Sequence, residues 1–428
     1  MNRPWMDPDV LIVGGGPSGS TLATLMARRG WTVVLVDRAS LPRPKPCGEF
    51  LSPGALRAME RLRIHVSAPG TGRLTGWVLQ ADGVEVATRF APQALGASMP
   101  RDRLDAGLLA HARREGVHVL ERSTYLLGAP GAGASGVVGP PSADVQIRTP
   151  SGHRTLRPTV LVGAGGLRCP VSRVLRRRTS TRVPRKISLT GHVRGIACDP
   201  RFGRLFVRGD LTVGLAPSDE AGRLWNATVV VPRHRGGELR GAGAKQFFFD
   251  CLARAQVPAY GALGLEEDQP MASSGFRKVS GPTYRGRTVL VGDAQGYFDP
   301  FTGQGIYQAL RSAELLAPSL HLALAGRISW GHALGGYSRR LARERGRTHR
   351  LQRAVEAWLM SGVLRPPTAW ILSRASPLFG AIMEATTDRS SLSRAVRHHV
   401  RATLSEAASV RSDPSPLTHH LERKASHP

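Results

Sequence analysis

Patterns of buried strands and helices follow one another at the start of the chain. Residues 10–14 read VLIVG, a continuous apolar run typical of strands covered on both faces, and residues 32–37 form a second such run. Between them, residues 17–30 have helical spacing and end at a glycine, which commonly terminates helices. The pattern predicts one complete strand–helix–strand unit with parallel strands.

Other patterns follow further along the chain. Alternation over 72–90 with the turn sequence ADG predicts a hairpin, 102–114 has helical spacing, and strand-like runs dominate 187–231. An apolar strand at 288–293 leads into a predicted helix at 303–324. Strands and helices therefore alternate at both ends of a strand-rich middle.

These elements predict two interleaved domains. An α/β domain with a parallel sheet is built from separate pieces, an antiparallel sheet is inserted between them, and helices follow. The pieces of the α/β domain are 9–125 (including a segment at 42–55 and the hairpin at 72–90), 144–180 and 285–325; the insertion is 185–280, the helical region 326–408 and an expected disordered tail 409–428. The low-complexity run at 128–144 is interpreted as a flexible insertion.

Composition supports a globular chain with a large core. Of the 428 residues, 41% are hydrophobic and 21% charged. No run of roughly 18–20 uncharged apolar residues is present, and the N-terminus lacks the apolar stretch of a secretory signal, so a cytoplasmic protein is expected. The four cysteines are far apart, which predicts free thiols and no metal site.

The charge is strongly positive, because 59 lysines and arginines against 31 aspartates and glutamates give a formal charge of +28. Three interpretations are open: arginines that only solvate the surface, peripheral contact with an anionic membrane, and nucleic-acid binding. The arginines are scattered in short runs such as RRRTSTR and RRLARERGR. This favours the first interpretation and keeps the second, and no nucleic-acid partner is predicted.

A glycine-rich turn joins the first strand to the first helix. Residues 14–19 read GGGPSG and match G-x-G-x-x-G directly after a predicted strand. The first glycine permits a tight turn, the second lets the backbone approach a pyrophosphate, and the third lets helix and strand pack closely. The helix N-terminus attracts phosphate. A carboxylate at the end of the second strand can accept hydrogen bonds from the ribose hydroxyls. The motif predicts a Rossmann-like dinucleotide site formed by Gly14, Gly16, Pro17, Ser18, Gly19, Asp37 and Arg38.

A second motif lies far downstream, where Gly292 and Asp293 end a strand and the chain continues AQGYFDPFTGQGIYQAL into a helix. This run resembles the GD motif of the group A flavin monooxygenases and geranylgeranyl reductases. The resemblance implies FAD, with Asp293 on the ribityl chain and the helix N-terminus aimed at the N1/C2=O side of the isoalloxazine. A helix N-terminus there would stabilise the negative charge of reduced flavin. The cofactor residues implied by this motif are Gly292, Asp293, Pro300, Gly303 and Gly305.

Two further segments extend the resemblance over about residues 9–390. The sequence RDRLD looks like the family's R-x-x-L-D helix, which implies that Arg101 lies by the FAD diphosphate or ribose and that the strand around Val119 lies beside the adenine. The sequence RPKPCGE resembles a segment of the geranylgeranyl-reductase-like subgroup that approaches the isoalloxazine. Cys47 and Glu49 are the candidate catalytic residues. The alternative for Arg101 is an arginine on the surface at the start of a helix. The alternative for the RPKPCGE segment is a structural loop with a buried thiol.

Two departures from the family pattern bear on function. Gly165 stands where many group A monooxygenases have the aspartate of G-A-D-G, which is implicated in handling both FAD and NAD(P)H. The electron source is therefore open between NAD(P)H and a separate flavin reductase. The aromatic motif of halogenases that ends in I-P or F-P is reduced to VGLAP at 213–217, which retains only the proline. This disfavours a halogenase.

The resemblance implies that FAD performs the chemistry and the protein orients the substrate. In the leading interpretation, a C4a-hydroperoxyflavin forms in an apolar pocket roofed by strands at 187–231, and it hydroxylates or epoxidises a small hydrophobic aromatic, polyketide or isoprenoid substrate. In the alternative, FADH2 delivers hydride to an isoprenoid or polyketide double bond, with a proton from Cys47 or a nearby acid. A halogenase and a non-catalytic electron carrier remain as further interpretations.

An apolar stripe marks the helical region. Leu351, Val355, Leu359 and Val363 repeat every four residues beside Trp358. Such a stripe is usually the core side of a helix. The alternative is that these helices cap the pocket and rest on anionic lipid, through which a hydrophobic substrate would reach the flavin.

Overall fold

The computed structural model describes residues 5–66, 71–90, 94–126, 144–175, 178–179, 186–273, 279–296, 303–374 and 376–387. The strands are, in chain order, β1 (Val10–Val13), β2 (Val33–Val36), β3 (Phe50–Leu51), β4 (Gly72–Leu74), β5 (Gly76–Ala81), β6 (Val84–Arg89), β7 (Gly96–Ser98), β8 (His118–Leu120), β9 (Thr124–Tyr125), β10 (Val145–Thr149) and β11 (Gly152–Leu156). They continue with β12 (Val160–Gly163), β13 (Arg178–Thr179), β14 (Lys186–Ile196), β15 (Phe202–Arg208), β16 (Leu211–Pro217), β17 (Trp225–Pro232), β18 (Ala259–Leu265), β19 (Met271–Ser273), β20 (Val279–Ser280), β21 (Tyr284–Arg285) and β22 (Thr288–Leu290). The helices are α1 (Pro17–Ala27), α2 (Pro53–Arg61), α3 (Arg101–Arg114), α4 (Val171–Val174), α5 (Gly236–Ala242), α6 (Ala244–Arg254), α7 (Gly305–Leu324), α8 (Trp330–Met360), α9 (Arg365–Arg374) and α10 (Ser376–Thr387).

The first layer is a six-stranded sheet in the order β21-β22-β12-β1-β2-β8. All its pairs are parallel except β21 with β22. Side chains of β1 point alternately to two apolar clusters: Val10 and Ile12 pack among residues of α1, α3, α7 and α8, while Leu11 and Val13 pack among residues of β10, β11 and α4. Both faces are therefore covered, which explains the unbroken apolar runs and confirms the predicted α/β unit.

The second layer is an antiparallel sheet in which β18, β14, β17, β16, β15, β5 and β6 are neighbours in this order, with β19 also paired to β14. Val213 and Val229 on its outer face pack against Phe247 and Phe248 of α6. This confirms the prediction that an antiparallel sheet is inserted between parts of the α/β domain.

The hairpin of β5 and β6 has the predicted ADG turn. Its chain position lies within the first predicted piece of the α/β domain, and in the structure β5 pairs in parallel with β15, so the hairpin extends the antiparallel sheet. The hairpin pattern is local, but the pairing joins segments more than a hundred residues apart, and local alternation carries no information about such a partner.

The helical region begins with α8, a continuous helix of 31 residues. Helix α9 then packs against β6, where Arg365 donates hydrogen bonds to both carboxylate oxygens of Asp82 at 2.6 and 3.0 Å. Val355 and Trp358 of the predicted stripe pack against the core of this region, whereas Val363 lies beyond the end of α8 and is 83% exposed. The stripe is thus core packing only in part.

Two predicted segments lie outside the described residues: the insertion at 128–144, apart from its last residue, and the tail at 409–428. Within the described part of the chain, none of the helices combines the length and the apolar character needed to cross a bilayer.

Candidate active site

Three turns meet at the carboxyl ends of the central parallel strands. Gly14, directly after β1, has φ of +116°, and a Cβ there would lie 2.7 Å from the backbone of Ala164 in the turn after β12. Gly292, just after β22, has φ of +59°, and a Cβ there would lie 2.5 Å from Ser18 Oγ at the start of α1. Both positions therefore require glycine. Motifs from three distant segments lie side by side, as expected of a binding crevice at this edge of an α/β sheet.

A cavity of about 1150 Å³ opens at this junction and reaches the inner face of the antiparallel sheet. It exceeds the roughly 300–1,000 Å³ of sites that hold one drug-sized ligand, so it has room for a dinucleotide and a second molecule. The predicted site residues on its wall are Gly14, Gly16, Pro17, Ser18, Asp37, Arg38, Cys47, Glu49, Arg101, Asp293, Gly303 and Gly305.

Other predicted residues lie elsewhere. Gly19 is at the packing contact assigned to it, because a Cβ there would lie 1.9 Å from the carbonyl oxygen of Gly14. Gly292 shapes its turn without lining the cavity. Pro300 lies outside the described residues.

Val119 is also away from the cavity wall. It pairs with Leu35 in the parallel sheet, and its side chain packs against the apolar core beneath α1. The chain reaches the cavity a few residues later, at Ser123, Thr124 and Tyr125, after it has passed the end of β8. The segment that follows β8, and not Val119 itself, therefore lines the cavity.

The cavity wall carries the groups that a diphosphate and its ribose require. The N-cap residues are Gly16 for α1 and Gln304 for α7, and the side chain of neither caps its helix, so the N–H groups and partial positive charge of each N-terminus can act on a ligand. A Cβ at Gly16 would meet no atom within 4 Å, which leaves open space beside the turn. Arg43, which lines the cavity, has a buried Nε with no hydrogen-bond partner among the described residues. These residues fit FAD.

Asp37 is held in place at the end of β2. Its Oδ2 accepts a hydrogen bond from the backbone N–H of Gly15 at 2.7 Å, and its Oδ1 accepts one from Ala39 at 2.8 Å. Each carboxylate oxygen has capacity for a second donor. The carboxylate is thus fixed against the glycine-rich turn and can receive ribose hydroxyls, the role that the motif predicts.

Asp293 faces a cluster of basic side chains. Burial raises the pKa of Asp293, and the charges of Lys45, Arg345 and Arg101 partly oppose that rise. The positive charge of Arg101 and, after it, burial lower the pKa of Lys45. Arg345 also donates a hydrogen bond to the Gly292 carbonyl oxygen at 3.3 Å. Lys45, Arg101 and Arg345 outnumber the acids Asp293 and Asp105 in this cluster, and the excess of basic groups suits a site for an anionic cofactor.

Arg101 lies at the start of α3 and is 6% exposed. Its guanidinium makes a two-oxygen ion pair with Asp105, with contacts of 2.8 and 2.9 Å. The pKa of Arg101 is raised because the charge of Asp105, and then the Cys47 thiol, outweigh the effect of burial. Arg101 is therefore a buried cation on the cavity wall beside the cysteine segment, and the alternative of a surface arginine is excluded.

Residues 43–49, which we call the cysteine segment, lie between the two layers. Glu49 is 2% exposed and has φ of +56°, an uncommon conformation for a residue with a side chain. Its N–H contacts Cys47 Sγ at 3.4 Å, and the Cys47 carbonyl oxygen accepts a hydrogen bond from Asn226 Nδ2 at 3.0 Å. The segment is thus tied to β17 of the antiparallel sheet, and it places a thiol and a carboxylate together on the cavity wall.

The strands at 187–231 contribute the far wall, as predicted. Leu189, Val213 and Val229 pack on α6 at the outer face. The cavity side combines apolar residues such as Val230 with residues that carry hydroxyl groups: Ser188, Thr190, Thr212 and Thr228. Period-two alternation separates the two faces of each strand, so the wall has apolar area and hydrogen-bonding groups together.

Several cavity residues have no family motif to mark them, notably Lys186, Arg204 and Trp77. The Trp77 ring packs edge-to-face on Phe50 at a centroid distance of 4.5 Å, and no group in the described part of the chain forms a hydrogen bond with its buried Nε1. The alternation of Lys186, Ser188 and Thr190 along β14 was a usable signal for a polar face. Trp77 was hidden because its hairpin joins this sheet only through long-range pairing.

Comparison with known proteins places the chain in one family. A model of the family described as "FAD binding domain" matches residues 7–343. Menaquinone reductase of Mycolicibacterium smegmatis is 27% identical over 335 residues, covering 72% of this chain and 75% of the relative. Digeranylgeranylglycerophospholipid reductase of Thermoplasma acidophilum is 25% identical over 319 residues, covering 71% and 75% respectively.

Solved structures share the fold. The crystal structure of CmlS, a flavin-dependent halogenase, superimposes with a TM-score of 0.76 at 20% identity, covering 95% of this chain and 79% of that one. A geranylgeranyl bacteriochlorophyll reductase-like protein of Thermoplasma acidophilum superimposes with a TM-score of 0.70 at 20% identity, covering 95% and 99%. The family match over most of the chain and the cavity that fits the cofactor lead to one conclusion: the chain belongs to the FAD binding domain family and is an FAD-dependent oxidoreductase.

Proposed function

We propose that the enzyme uses reduced FAD to add hydride and a proton across a carbon–carbon double bond of a largely hydrophobic, oxygen-bearing substrate. The observation that carries this proposal is the cavity itself. It runs from the turns that would hold FAD, past Cys47 and Glu49, to a wall that carries hydroxyl groups. A hydride acceptor placed between these walls would have a proton source beside it and hydrogen-bonding groups beyond it.

FAD, when bound, supplies the hydride, and the residues of the chain supply binding, orientation and the proton. The uncapped N-termini of α1 and α7 and the basic residues around Asp293 would hold the cofactor's diphosphate, pyrimidine edge and ribityl chain. Cys47 or Glu49 would donate the proton. The thiol and the carboxylate come within two residues of each other on the cavity wall, so either can reach a substrate there.

The far wall supports a substrate that combines polar oxygens with apolar carbon. Thr190 Oγ1 and Thr228 Oγ1 lie 3.1 Å apart across neighbouring strands, and Thr228 also contacts the Asn226 side chain at 3.2 Å. Trp77 presents an aromatic ring and a buried N–H. A quinone, or an isoprenoid with an oxygenated head group, matches these walls. The names of the two reductase relatives, for menaquinone and for a geranylgeranyl lipid, agree with this class.

A monooxygenase that hydroxylates or epoxidises an aromatic, polyketide or isoprenoid substrate is the second candidate. The hydroxyl-bearing wall favours it specifically, because Ser188, Thr190 and Thr212 could hold the hydroxyl or carbonyl groups of an aromatic or polyketide ring. The two candidates differ in one requirement, since only the oxygenase consumes O2.

We infer that electrons arrive from a separate flavin reductase. Gly165, on the cavity wall, lacks the carboxylate that the family pattern associates with NAD(P)H. Its φ of −77° and the 3.3 Å contact that a Cβ would make with Cys169 leave room for another residue with a small shift. The glycine is therefore not demanded by the backbone, which supports a functional reason for the missing carboxylate.

We also propose that the substrate reaches the cavity from an anionic membrane. Val363, Leu364, Trp370 and Ile371 are 83, 60, 53 and 52% exposed. With exposed Pro367 and Arg374 they recur at three- and four-residue spacing, so they form one face of α9 and the turn before it. We call this set the α9 face. Exposed apolar side chains next to arginine, on a chain of charge +28, match the surface of a bilayer that contains anionic lipid.

The decisive experiment separates reduction from oxygenation. The FAD-loaded protein is reduced with dithionite without oxygen and mixed with menaquinone or with a geranylgeranyl lipid, and products are read by mass spectrometry. The proposal expects a product that gains two hydrogen atoms in the absence of O2. A product that appears only after 18O2 is admitted, and that carries one labelled oxygen, would establish the second candidate instead. If neither probe gives a product, with or without O2, both candidate functions are contradicted for these substrates.

A further inference from the structure

His192 joins two carboxylates behind the cavity wall. Its Nε2 lies 3.0 Å from Glu49 Oε2, and its Nδ1 lies 2.5 Å from Glu267 Oε1. Glu267 Oε2 also accepts a hydrogen bond from the His192 backbone N–H at 2.9 Å. Carboxylates accept hydrogen bonds and only a doubly protonated imidazole donates from both ring nitrogens. The contacts therefore favour an imidazolium between two carboxylates.

The three groups have graded exposure. The Glu49 side chain is 3% exposed and lines the cavity, that of His192 is 15% exposed, and that of Glu267 is 32% exposed. The other oxygen of Glu49, Oε1, accepts a hydrogen bond from the backbone N–H of Arg101 at 3.1 Å, at the start of α3. Glu49 is thus fixed on one side by a helix N-terminus and on the other by His192.

Electrostatics keep the proton on the ring. Burial acts to lower the pKa of His192, but its hydrogen bonds and charge interactions with Glu49 and Glu267 raise the pKa to about 9. The neighbouring charged groups are Glu266 and Arg194, which form an ion pair with each other at 2.7 Å on the exposed side. Because that pair is internally neutralised, the two carboxylates in direct contact dominate the surroundings of the ring.

We propose that Glu49, His192 and Glu267 form the acid that supplies the proton in each turnover, with Glu49 as the catalytic residue and the other two as positioning residues. This rests on the proposed function, since both candidates operate in this cavity. The Nε2–H bond of His192 breaks as an O–H bond forms on the Glu49 carboxylate, and that O–H bond breaks as the proton passes to the substrate. Glu49 is then a carboxylate again, and the ring of His192 is left neutral.

The remaining steps restore the resting state. The Nδ1–H group of His192 stays intact and donates its hydrogen bond to Glu267 throughout. Glu267 therefore fixes the tautomer and the orientation of the neutral ring after the transfer. When product leaves, water that enters the cavity returns one proton to Nε2 by way of Glu49. One proton is consumed and one is taken up per turnover, and no other reactant is needed. Cys47, bound through its carbonyl oxygen to Asn226, then serves to shape the segment and does not donate the proton.

The first test follows the titration of His192 by NMR in the FAD-loaded protein, with the signal assigned by its loss in His192→Gln. We expect His192 to remain protonated to near pH 9. In Glu267→Gln, the midpoint should fall by about one pH unit or more, because one of the two opposing charges is lost. The double variant Arg194→Gln and Glu266→Gln is the matched control, because it removes both charges of the neutral pair, and it should leave the midpoint in place. A His192 that titrates near its ordinary value in the unsubstituted protein overturns the proposal, whether or not a substrate is known.

The second test uses turnover of menaquinone or the geranylgeranyl lipid. His192→Gln and Glu49→Gln should each lower kcat about a hundredfold with FAD content unchanged, the scale of a lost general acid. In Glu267→Gln, the alkaline limb of the pH–rate profile should move to lower pH together with the NMR midpoint. Unchanged kcat and an unchanged limb in these variants, in a protein that does turn over, would refute the acid role. Absence of FAD or of all turnover in the unsubstituted protein would instead contradict the proposed function, and the NMR titration would still decide the charge state of His192.

Discussion

Gly16 is a position where a side chain can be added to test cofactor binding without a clash with the protein. A Cβ there meets no protein atom within 4 Å, yet it would project into the space beside the glycine-rich turn. We expect Gly16→Ala to fold normally and to lose FAD. Asp293→Ala should also lose FAD, because a hydrogen bond to the ribityl chain is worth about 1–3 kcal/mol. Flavin absorbance of the purified variants gives the result.

Gly237→Ala is the matched control for this experiment. Gly237 lies in α5, and a Cβ there also meets no atom within 4 Å, but the residue does not line the cavity. The control should keep its full FAD content. Full occupancy in both Gly16→Ala and Asp293→Ala would contradict the assignment of these residues to the cofactor.

Gly165 allows a test of the electron source. We expect slow reduction of the bound FAD by NADPH alone and much faster reduction when a flavin reductase is added. Gly165→Asp should accelerate the direct reaction, because it restores the carboxylate of the family pattern, and Gly165→Ala should not. Stopped-flow bleaching of the flavin measures both rates. Rapid stoichiometric bleaching of the unsubstituted protein by NADPH would show that the glycine does not limit the reaction.

His192 should also make stability depend on pH. Its pKa is raised from 6.5 to about 9 in the folded protein, so the folded state binds the proton more tightly than the unfolded state. This contribution is fully present below pH 6.5 and is lost as the pH rises through about 9. Because each tenfold gain in proton affinity is worth about 1.4 kcal/mol, the contribution amounts to up to about 3 kcal/mol.

Urea unfolding from about pH 6 to about pH 10 tests this prediction. The free energy of unfolding should fall with pH in the unsubstituted protein, and the fall should be smaller in His192→Gln. The double variant Arg194→Gln and Glu266→Gln again provides the control. Equal slopes in the unsubstituted protein and His192→Gln would mean that the proton on His192 does not stabilise the fold.

Among the elements, α9 offers the clearest test of membrane contact. Its buried side is anchored by Arg365 to Asp82, and its exposed side is the α9 face. We expect the protein to co-sediment with vesicles that contain anionic lipid, to bind neutral vesicles weakly, and to dissociate as salt is raised. The double variant Trp370→Ser and Ile371→Ser should lose this binding, since each removes apolar area that would enter the interface.

The control for the α9 face is Tyr260→Ser. Tyr260 is 84% exposed and lies in β18, away from α9. Its loss should leave vesicle binding unchanged. Equal binding to both lipid types, or binding that the double variant retains, would show that the α9 face is not a membrane contact and would favour a small water-soluble substrate.

The elements also show what the sequence can predict. Runs such as VLIVG in β1 and the helical spacing of α7 depend on neighbouring residues, and the structure confirms them within about two residues. Local alternation predicts the hairpin at 72–90 but not the sheet that it joins, because β5 pairs with β15 far along the chain.

The same limit applies to the candidate site. Glycine motifs revealed the cofactor side, since their spacing is set by local turns. The contact of His192 with Glu49 joins residues 143 positions apart, and no periodic pattern announces it. Alternation along β14 is enough to predict that Thr190 faces the cavity. The orientation of Trp77 is not predictable in this way, because it depends on the long-range pairing of β5 with β15.

At the scale of the whole molecule, the cavity lies between two layers of the fold, the parallel sheet and the antiparallel sheet. The turns after the parallel strands form one wall of the cavity, the antiparallel sheet forms the wall to which the substrate is proposed to bind, and the cysteine segment contacts the second wall through Asn226. A substrate bound at the far wall would therefore be positioned relative to the cofactor by the contact between layers. This arrangement places specificity and redox chemistry in separate parts of the fold.

The two faces of the antiparallel sheet have a consequence for evolution. Core residues such as Val213 and cavity residues such as Thr212 alternate on the same strand, so a change in one set leaves the packing of the other intact. Substrate preference can thus diverge between related enzymes by exchange of inward-facing side chains, while the fold and its cofactor are inherited unchanged. A library randomised at Ser188, Thr190, Thr212 and Thr228 should therefore contain mostly folded, flavin-loaded proteins that differ in the molecules they accept.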